Sequence, residues 1–454
     1  TLTTLSLWHQ QIGHVIAQSL ANALKYNKTL TELYLGGNPI GDSGAQSLGN
    51  ALLHNKALTK LDLWDSQLGH VIAQSLAIAL QYNTTLTTLN LWNNQIGDVG
   101  AQSLANTLQH NRTLTTLELG HNQISHVGAQ SFGDALQHNT SLTTLGLEGN
   151  RIGNIGAQFL GDALRHNKSL TTLNFQENQI RDGGAQSLGD TLRCNTTLIT
   201  LHIGSNQIGY VGAQSLSNAL QYYTVITILL LSIPCLYLHF LLQTLTTLSL
   251  WVNQIGDIGA QSFGDALQHN TSLTTLDLRF NKIGHIGAQS VGDALRHNTT
   301  LIILSLQHNQ IGDVGAQSLG AALQHNTALT TLNLGFNKIG DIGAQYLGDA
   351  LQHNRSLIIL DLEENQIGDI GGQSLGDALQ HNRALTVLNL GFNRIGDIGG
   401  QSLADALQHN TTLTELKVWF SEIENDVMHA IEELLGRNRK GRKPGVALLN
   451  VFEW

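Results

Sequence analysis

The stretch from Leu86 to Thr113, LTTLNLWNNQIGDVGAQSLANTLQHNRT, is a 28-residue unit that recurs along almost the whole chain and constrains the fold more than any other feature. Its first half sets Leu86, Leu89, Leu91, Asn94 and Ile96 in the pattern LxxLxLxxNxI, whose core alternates at the two-residue period of a short strand. In its second half Gly100, Ala101, Leu104, Thr107 and Leu108 share one face at helical period. Asp98 is placed to cap the N-terminus of this helix, and Asn111 stands where a helix commonly ends in a left-handed residue. One such unit cannot bury its own apolar face. Stacked copies can, each adding a strand to a parallel inner sheet and a helix to an outer layer; helices are wider than the strand spacing, so the stack must curve. The expected fold is an α/β solenoid, a horseshoe with a parallel inner sheet and outer helices.

Opening leucines fall 28 residues apart at Leu2, Leu30, Leu58, Leu86, Leu114, Leu142, Leu170 and Leu198, and again at Leu245, Leu273, Leu301, Leu329, Leu357, Leu385 and Leu413. The expected organisation is eight repeats over residues 1–225, a shortened irregular repeat at 226–244, repeats ten to fifteen over 245–412, and a capping repeat with a basic tail at 413–454. In the irregular unit Ile226, Leu229, Leu231 and Leu236 obey the strand template, with Pro234 in the place of Asn, so a strand with a thinned outer layer is expected there. The run from Val225 to Leu242 is also apolar enough to raise a membrane span, and an artefact of gene structure is a third reading. Thr227, Ser232, Pro234, His239 and the intact repeats on either side weigh against the span. The last helix, ENDVMHAIEELLGRN, carries Glu432 and Glu433 on its outer face, as the end of a stack requires. The GRNRKGRKPG segment after it reads as a solvated linker or a patch for an acidic partner, and Val446 to Trp454 can dock back on the cap.

The formal net charge of −10 disfavours nucleic acid and anionic membrane as main partners. Cys194 and Cys235 are too few for a disulfide framework, which favours a reducing, cytoplasmic setting. Ten N-x-[ST] triplets pull the other way, beginning at Asn27, Asn83, Asn111, Asn139, Asn167, Asn195, Asn270, Asn298, Asn354 and Asn410. All use the helix-ending Asn, so copying of cap chemistry generates them without any glycan. No signal peptide is visible, and Thr1 already lies inside a strand template, as in a piece of a longer sequence.

The unit LxxLxLxxNxIGDxGAxxLxxALxxNxx resembles the ribonuclease-inhibitor-like class of leucine-rich repeats, and within it the repeat regions of NOD-like receptors, over Leu2 to about Asn438. The resemblance implies a non-catalytic surface for protein ligands, in innate immunity if the receptor likeness holds. The class also contains the activating protein of the Ran GTPase, which makes GTPase activation the alternative. Three departures matter. The chain lacks the cysteine richness of ribonuclease inhibitors, it has no G-x-x-x-x-G-K-[ST] nucleotide loop, and it ends in Arg437, Arg439, Lys440, Arg442 and Lys443 where Ran activators carry an acidic tail.

The repeats align with one another, so positions fixed between copies serve stacking and varying exposed positions are free for a ligand. The fifth and seventh positions are expected to point out of the concave face, with the eighth at its rim. There Trp8, Trp64, Trp92, Trp251 and Trp419 supply one aromatic set, and Phe280, Phe336 and Phe392 another. Asp65 lies beside Trp64; Glu118, Glu148 and Glu177 form one acidic stretch, and Asp361, Glu363 and Glu364 a second. A partner with basic groups flanked by apolar projections fits this face. For Trp8, Trp64 and Trp92, packing along the sheet is the competing reading.

Asn at the ninth position, present in twelve of sixteen units, is expected to form a buried ladder, with Gln10, Ser66, Pro234 and Ser421 as weak points. Ten of the twenty histidines, His110, His138, His166, His325 and His353 among them, precede the helix-ending Asn and form a diverging ridge, so no metal site is expected. The serines of AQSL have no fixed base and carboxylate beside them, and no catalytic site or cofactor is expected. A monomer is expected.

Overall fold

A computed structural model describes residues 2–231, 244–419 and 421–441, with side chains omitted for 222–231. The chain forms two compact units, Thr1–Asn281 and Lys282–Trp454. In the first, ten three-residue strands from Thr4–Ser6 to Thr275–Asp277 pair in parallel with their neighbours in chain order. In the second, five strands from Ile303–Ser305 to Glu415–Lys417 do the same. Each strand spans the third to fifth positions of its repeat, and register is set leucine to leucine, as in Leu61↔Leu89 and Leu332↔Leu360. Both units are α/β solenoids of parallel strands alternating with helices.

Leu86, Leu89, Leu91 and Ile96 are fully buried, and the helix Gly97–Leu108 buries Gly100, Ala101, Leu104, Ala105 and Leu108 against them. Thr107, expected in that face, is half-buried and turns its hydroxyl to Ala77 O, 3.1 Å away. The ladder at the ninth position forms as the pattern requires. Asn94 accepts from Ser66 N and Leu68 N in the preceding repeat and donates to Leu63 O and Leu91 O, all at 3.0–3.1 Å. Of the expected weak points, Ser421 Oγ is buried without a partner among the described residues.

Asn111 corrects an expectation. No helix-ending Asn takes a left-handed backbone; at Asn83, Asn354 and Asn382 it is extended. Instead Asn111 accepts from Thr113 N and Leu114 N and donates to Leu80 O in the preceding repeat, at 3.0, 2.8 and 2.7 Å, which makes a second ladder. This ladder accounts physically for nine of the ten triplets. Apart from half-buried Asn27, every triplet Asn is at most 4% exposed, so a glycan there is incompatible with the stacked repeat.

The irregular segment also departs from expectation. Residues 226–231 continue the helix Tyr210–Leu231, and the strand Thr200–His202 pairs directly with Thr247–Ser249. Ile226, Leu229 and Leu231 therefore add no strand to the sheet. The reason is visible at Tyr223, which stands where the other repeats carry the helix-ending Asn, so nothing stops the helix. Both ladders bridge the insertion: Asn206 N donates to Asn253 Oδ1 at 3.1 Å, and Asn270 Nδ2 to Leu220 O at 3.2 Å. Pro234, Cys235, Leu236 and His239 lie outside the described residues, and with them most of the stretch that raised a membrane span. Among the described residues no helix is long and apolar enough to cross a membrane.

The final helix, Asn425–Lys440, buries Ile431, Leu435 and Asn438 and exposes Glu432 and Glu433. Asn438 continues the second ladder to Asn410 O, while the Arg437 guanidinium donates to Leu407 O and Asn410 O. Arg442, Lys443 and Val446 to Trp454 lie outside the described residues.

Candidate binding surface

Strand alternation sends the fourth and sixth side chains into the core and leaves the fifth and seventh on the open sheet face. The seventh-position tryptophans lie down on this face. A Cβ at Gly36 would collide with the indole of Trp64, one at Gly120 with Trp92, one at Gly204 with Trp251 and one at Gly391 with Trp419. Each indole occupies the space that a neighbouring seventh-position glycine vacates. Trp8 meets Tyr34 edge to face at 5.4 Å, and Trp64 meets His9 at 5.2 Å. Packing along the sheet is thus real for the tryptophans, although Trp8 and Trp419 keep 47% and 46% of their surface open. The pairing of Trp64, Trp92, Trp251 and Trp419 each with an adjacent seventh-position Gly is the signal in the sequence for this arrangement. Replacing Gly120 by leucine should lift Trp92 off the sheet, seen as a shifted indole N–H resonance; an unmoved resonance would contradict this packing.

Trp92 is also tied electrostatically. Its Nε1 donates to Glu148 Oε1 at 2.8 Å, its ring meets His121 at 4.7 Å, and Glu148 Oε2 accepts from Asn174 Nδ2 at 2.5 Å. Beside Glu148, the Glu118 side chain lies across Gly146 with no hydrogen-bond donor among its contacts, and burial plus the neighbouring Glu148 charge push its carboxyl up to about 7. Further along the same unit, Arg279 grips Asp277 through Nε and Nη2 at 2.9 and 2.8 Å, and this bonding raises the guanidinium further. Burial lowers His202, whose Nδ1 is buried without a partner among the described residues. Ser249, next in the row, donates to Asp277 Oδ2 at 3.3 Å. That places serine and carboxylate together, with the imidazole on the far side of the serine, an order unlike a nucleophile activated by an oriented base.

In the second unit burial is the main cause that pushes Asp361 up to about 6, helped by the Glu363 charge and opposed by bonds from Glu363 N at 3.0 Å and Gln307 Nε2 at 2.6 Å. Gln307 reaches Asp361 across Gly335, which has no side chain to block the way. Glu363 accepts from Asn389 Nδ2 at 3.1 Å, and the Lys417 ammonium sits 5.2 Å from the Trp419 ring.

Two residues of the expected acidic stretches stand apart. Glu177 and Glu364 are exposed, with left-handed backbones at φ 55° and 47°, and neither contributes to the shifted carboxyls. This left-handed turn was not anticipated from the sequence, yet the eighth position adopts it throughout the described repeats. Gly37 and Gly149 do so at no cost, and His9, Asp65, Asn93, His121 and His308 are of types that tolerate it. Asp65 accepts from Asn93 Nδ2 at 3.0 Å. Val252, Phe280, Phe336 and Phe392 are of bulky types for which such a backbone is strained. Phe336 stacks on His308 at 3.7 Å and 19°, and Phe280 and Phe392 each present 42% of their surface to solvent.

Among the described residues no three His, Cys, Asp or Glu side chains converge on an ion site; His110, His138, His166, His325 and His353 are exposed, and the AQSL serines bond back to their own helices, as Ser103 Oγ does to Val99 O at 3.0 Å.

Comparison with known proteins agrees with this architecture. A leucine-rich-repeat family profile matches residues 84–152, and a second profile of the same description matches 26–49, 166–189, 194–217, 242–264, 269–292, 297–320, 325–348, 353–376 and 381–404. No curated protein matches the chain. Among solved structures, an internalin from Listeria monocytogenes is 22% identical, with 88% of each chain covered and a TM-score of 0.51. Actin-binding site 2 of leiomodin-1 is 22% identical over 33% of this chain and 88% of its own, and the tropomodulin C-terminal domain of Caenorhabditis elegans 18% over 34% and 94%, both with TM-scores of 0.31. With the profiles spread over more than half of its length and both of its units built from the matching strand-and-helix repeat, the chain belongs to the leucine-rich-repeat proteins.

Proposed function

We propose that this leucine-rich-repeat scaffold binds a protein partner on its open sheet face and eighth-position rim, without a cofactor, and that it serves as the sensing or regulatory repeat region of a cytoplasmic, NOD-like-receptor-type protein. The observation that carries the binding surface is the set of phenylalanines on left-handed backbone. A bulky side chain there costs about 1–2 kcal/mol relative to an extended backbone. Phe280 and Phe392 bear that cost and still present 42% of their surface to solvent, where a partner can reach them. Large rigid aromatics beside half-buried carboxylates suit an apolar, basic partner surface. The receptor-type reading rests on the form of the repeat.

Changing Phe280 and Phe392 together to asparagine should relieve the backbone strain at both positions and leave the repeats folded, because asparagine tolerates the left-handed region. The same variant should lose at least about tenfold in affinity for proteins that the unaltered chain captures, the scale of a hot-spot pair. Unchanged capture would refute the rim assignment. The receptor-type reading is tested separately by the full-length transcript, which should encode a nucleotide-binding module ahead of the repeats.

A further inference from the structure

The helix starts do not follow the simple capping scheme. Asp98 leaves its own helix uncapped and reaches into the next repeat, accepting from Ser125 N and Gly128 N at 2.8 and 3.0 Å. Asp182 treats Gly209 and Gly212 in the same way, as do Asp313 for Gly340 and Gly343, Asp341 for Gly368 and Gly371, and Asp369 for Gly396 and Gly399. Asn154 does it for Arg181 and Gly184. In these repeats the receiving twelfth residue is extended, for example Gly69 behind Asp42 at φ −91°, Ser125 at −98° and Gly340 at −100°.

The other repeats take a second form. His14, His70, His126, Tyr210 and His285 replace the acid at the thirteenth position, and the glycine that follows each in the next stacked repeat is left-handed: Gly41 at φ 63°, Gly97 at 58°, Gly153 at 61°, Gly256 at 60° and Gly312 at 59°. At Gly97, Gly153, Gly256 and Gly312 the N–H then turns forward to the ninth-position carbonyl of the following repeat, each at 2.9 Å. The chain's own sequence obeys the same division. Ser125, Arg181 and Glu424, the non-glycine residues at the receiving position, all follow Asp or Asn (Asp98, Asn154 and Asp397).

We infer that the thirteenth residue of each repeat is a selector that fixes which of two backbone forms the next repeat's twelfth residue adopts. An acceptor oxygen there pulls the receiving N–H backward and holds an extended helix cap. Without it the N–H finds its partner only by turning forward, which needs the left-handed region and hence glycine. The tenth residue is uniform only in the second form. In the second form Gln95, Arg151 and Gln310 donate their N–H to Leu68, Ile124 and Ile283 of the preceding repeat at 2.7–2.8 Å. In the first form Gln67, Gln123, Gln179 and Lys338 are themselves left-handed, while Gln366 and Arg394 keep the backward bond. One side chain thus sets the backbone of the twelfth residue, where the next repeat's helix starts.

Gly97 tests this directly, since a Cβ there meets nothing within 4 Å and only the backbone form opposes it. In the full-length chain, Gly97→Ala should speed hydrogen exchange at the start of the following helix about tenfold, the size of a left-handed penalty on alanine. Adding His70→Asp should reduce that effect to less than about twofold, and a crystal structure of His70→Asp alone should show Gly97 extended like Gly69. The reverse exchange, Asp313→His, should make a previously tolerated Gly340→Ala costly. A Gly97 that stays left-handed in the His70→Asp protein, or an alanine penalty indifferent to the residue at position 70, would overturn the selector.

Discussion

Replacing Asn206 by alanine is expected to destabilise the repeat array by about 3–5 kcal/mol, among the largest effects available to one substitution in this chain. Asn206 is fully buried and makes five hydrogen bonds: its Oδ1 accepts from Asn178 N and Ile180 N, and its Nδ2 donates to Phe175 O, Ile203 O and Gly204 O. Alanine leaves Asn178 N and Ile180 N buried with no acceptor, whereas Phe175 O, Ile203 O and Gly204 O keep bonds from Asn178 Nδ2, Asn253 Nδ2 and Glu177 N; each orphaned donor costs about 1–3 kcal/mol, reduced where the turn can relax. Because stability in a stacked array is nearly local, the loss should show as early exchange of the amides around residues 175–208 in native-state hydrogen exchange. An ordinary, unchanged pattern there would mean that the ladder is dispensable.

The second large effect concerns pH. Glu118 ionises at about 7 in the folded chain, above the ordinary 4.5, because burial and Glu148 disfavour its charge. Below about pH 4.5 the folded and unfolded forms both hold the proton and the contribution is fully present. Between 4.5 and 7 the unfolded form ionises first, so stability is lost as pH rises, by up to about 3 kcal/mol and less where solvent reaches the carboxyl. Glu118→Gln should remove this dependence and make the variant the more stable protein at pH 8. Equal urea midpoints for the two proteins across pH 5–8 would contradict it. Asp361, pushed to about 6, should add a smaller slope of the same sign between about pH 4 and 6. A basic group bound at either carboxyl would expel its proton.

The architecture was legible in the sequence because it rests on what every copy shares. The leucine pattern, the ninth-position Asn and the Ala/Leu helix face need only a period to be recognised, and the structure places them as that period requires. What escaped was interaction between copies. The thirteenth-position Asp and the helix-ending Asn were assigned to their own helices, whereas their side chains bond across the repeat boundary, where a single unit gives no hint of a partner. The irregular segment misled for a related reason: Ile226, Leu229 and Leu231 fit a strand template at three points, but a missing Asn at 223 lets the helix run on. On the open sheet face and its rim, the side-chain directions were not legible. Trp92 and Trp64 lie against neighbouring glycines, Glu177 and Glu364 turn away, and the left-handed backbone at Phe280 and Phe392 depends on turn geometry that hydrophobic period does not encode.

The division into a constant frame and a variable face is tested most directly by where a partner touches the chain. A photo-crosslinking benzoylphenylalanine placed in turn at Phe336 and Phe392 on the rim, and at the exposed histidines His325 and His381 at the helix ends, would map that contact in otherwise unaltered protein. Crosslinked partner from the two rim positions and none from the helix ends is the expected result. Crosslinks confined to the helix ends would contradict the proposed face.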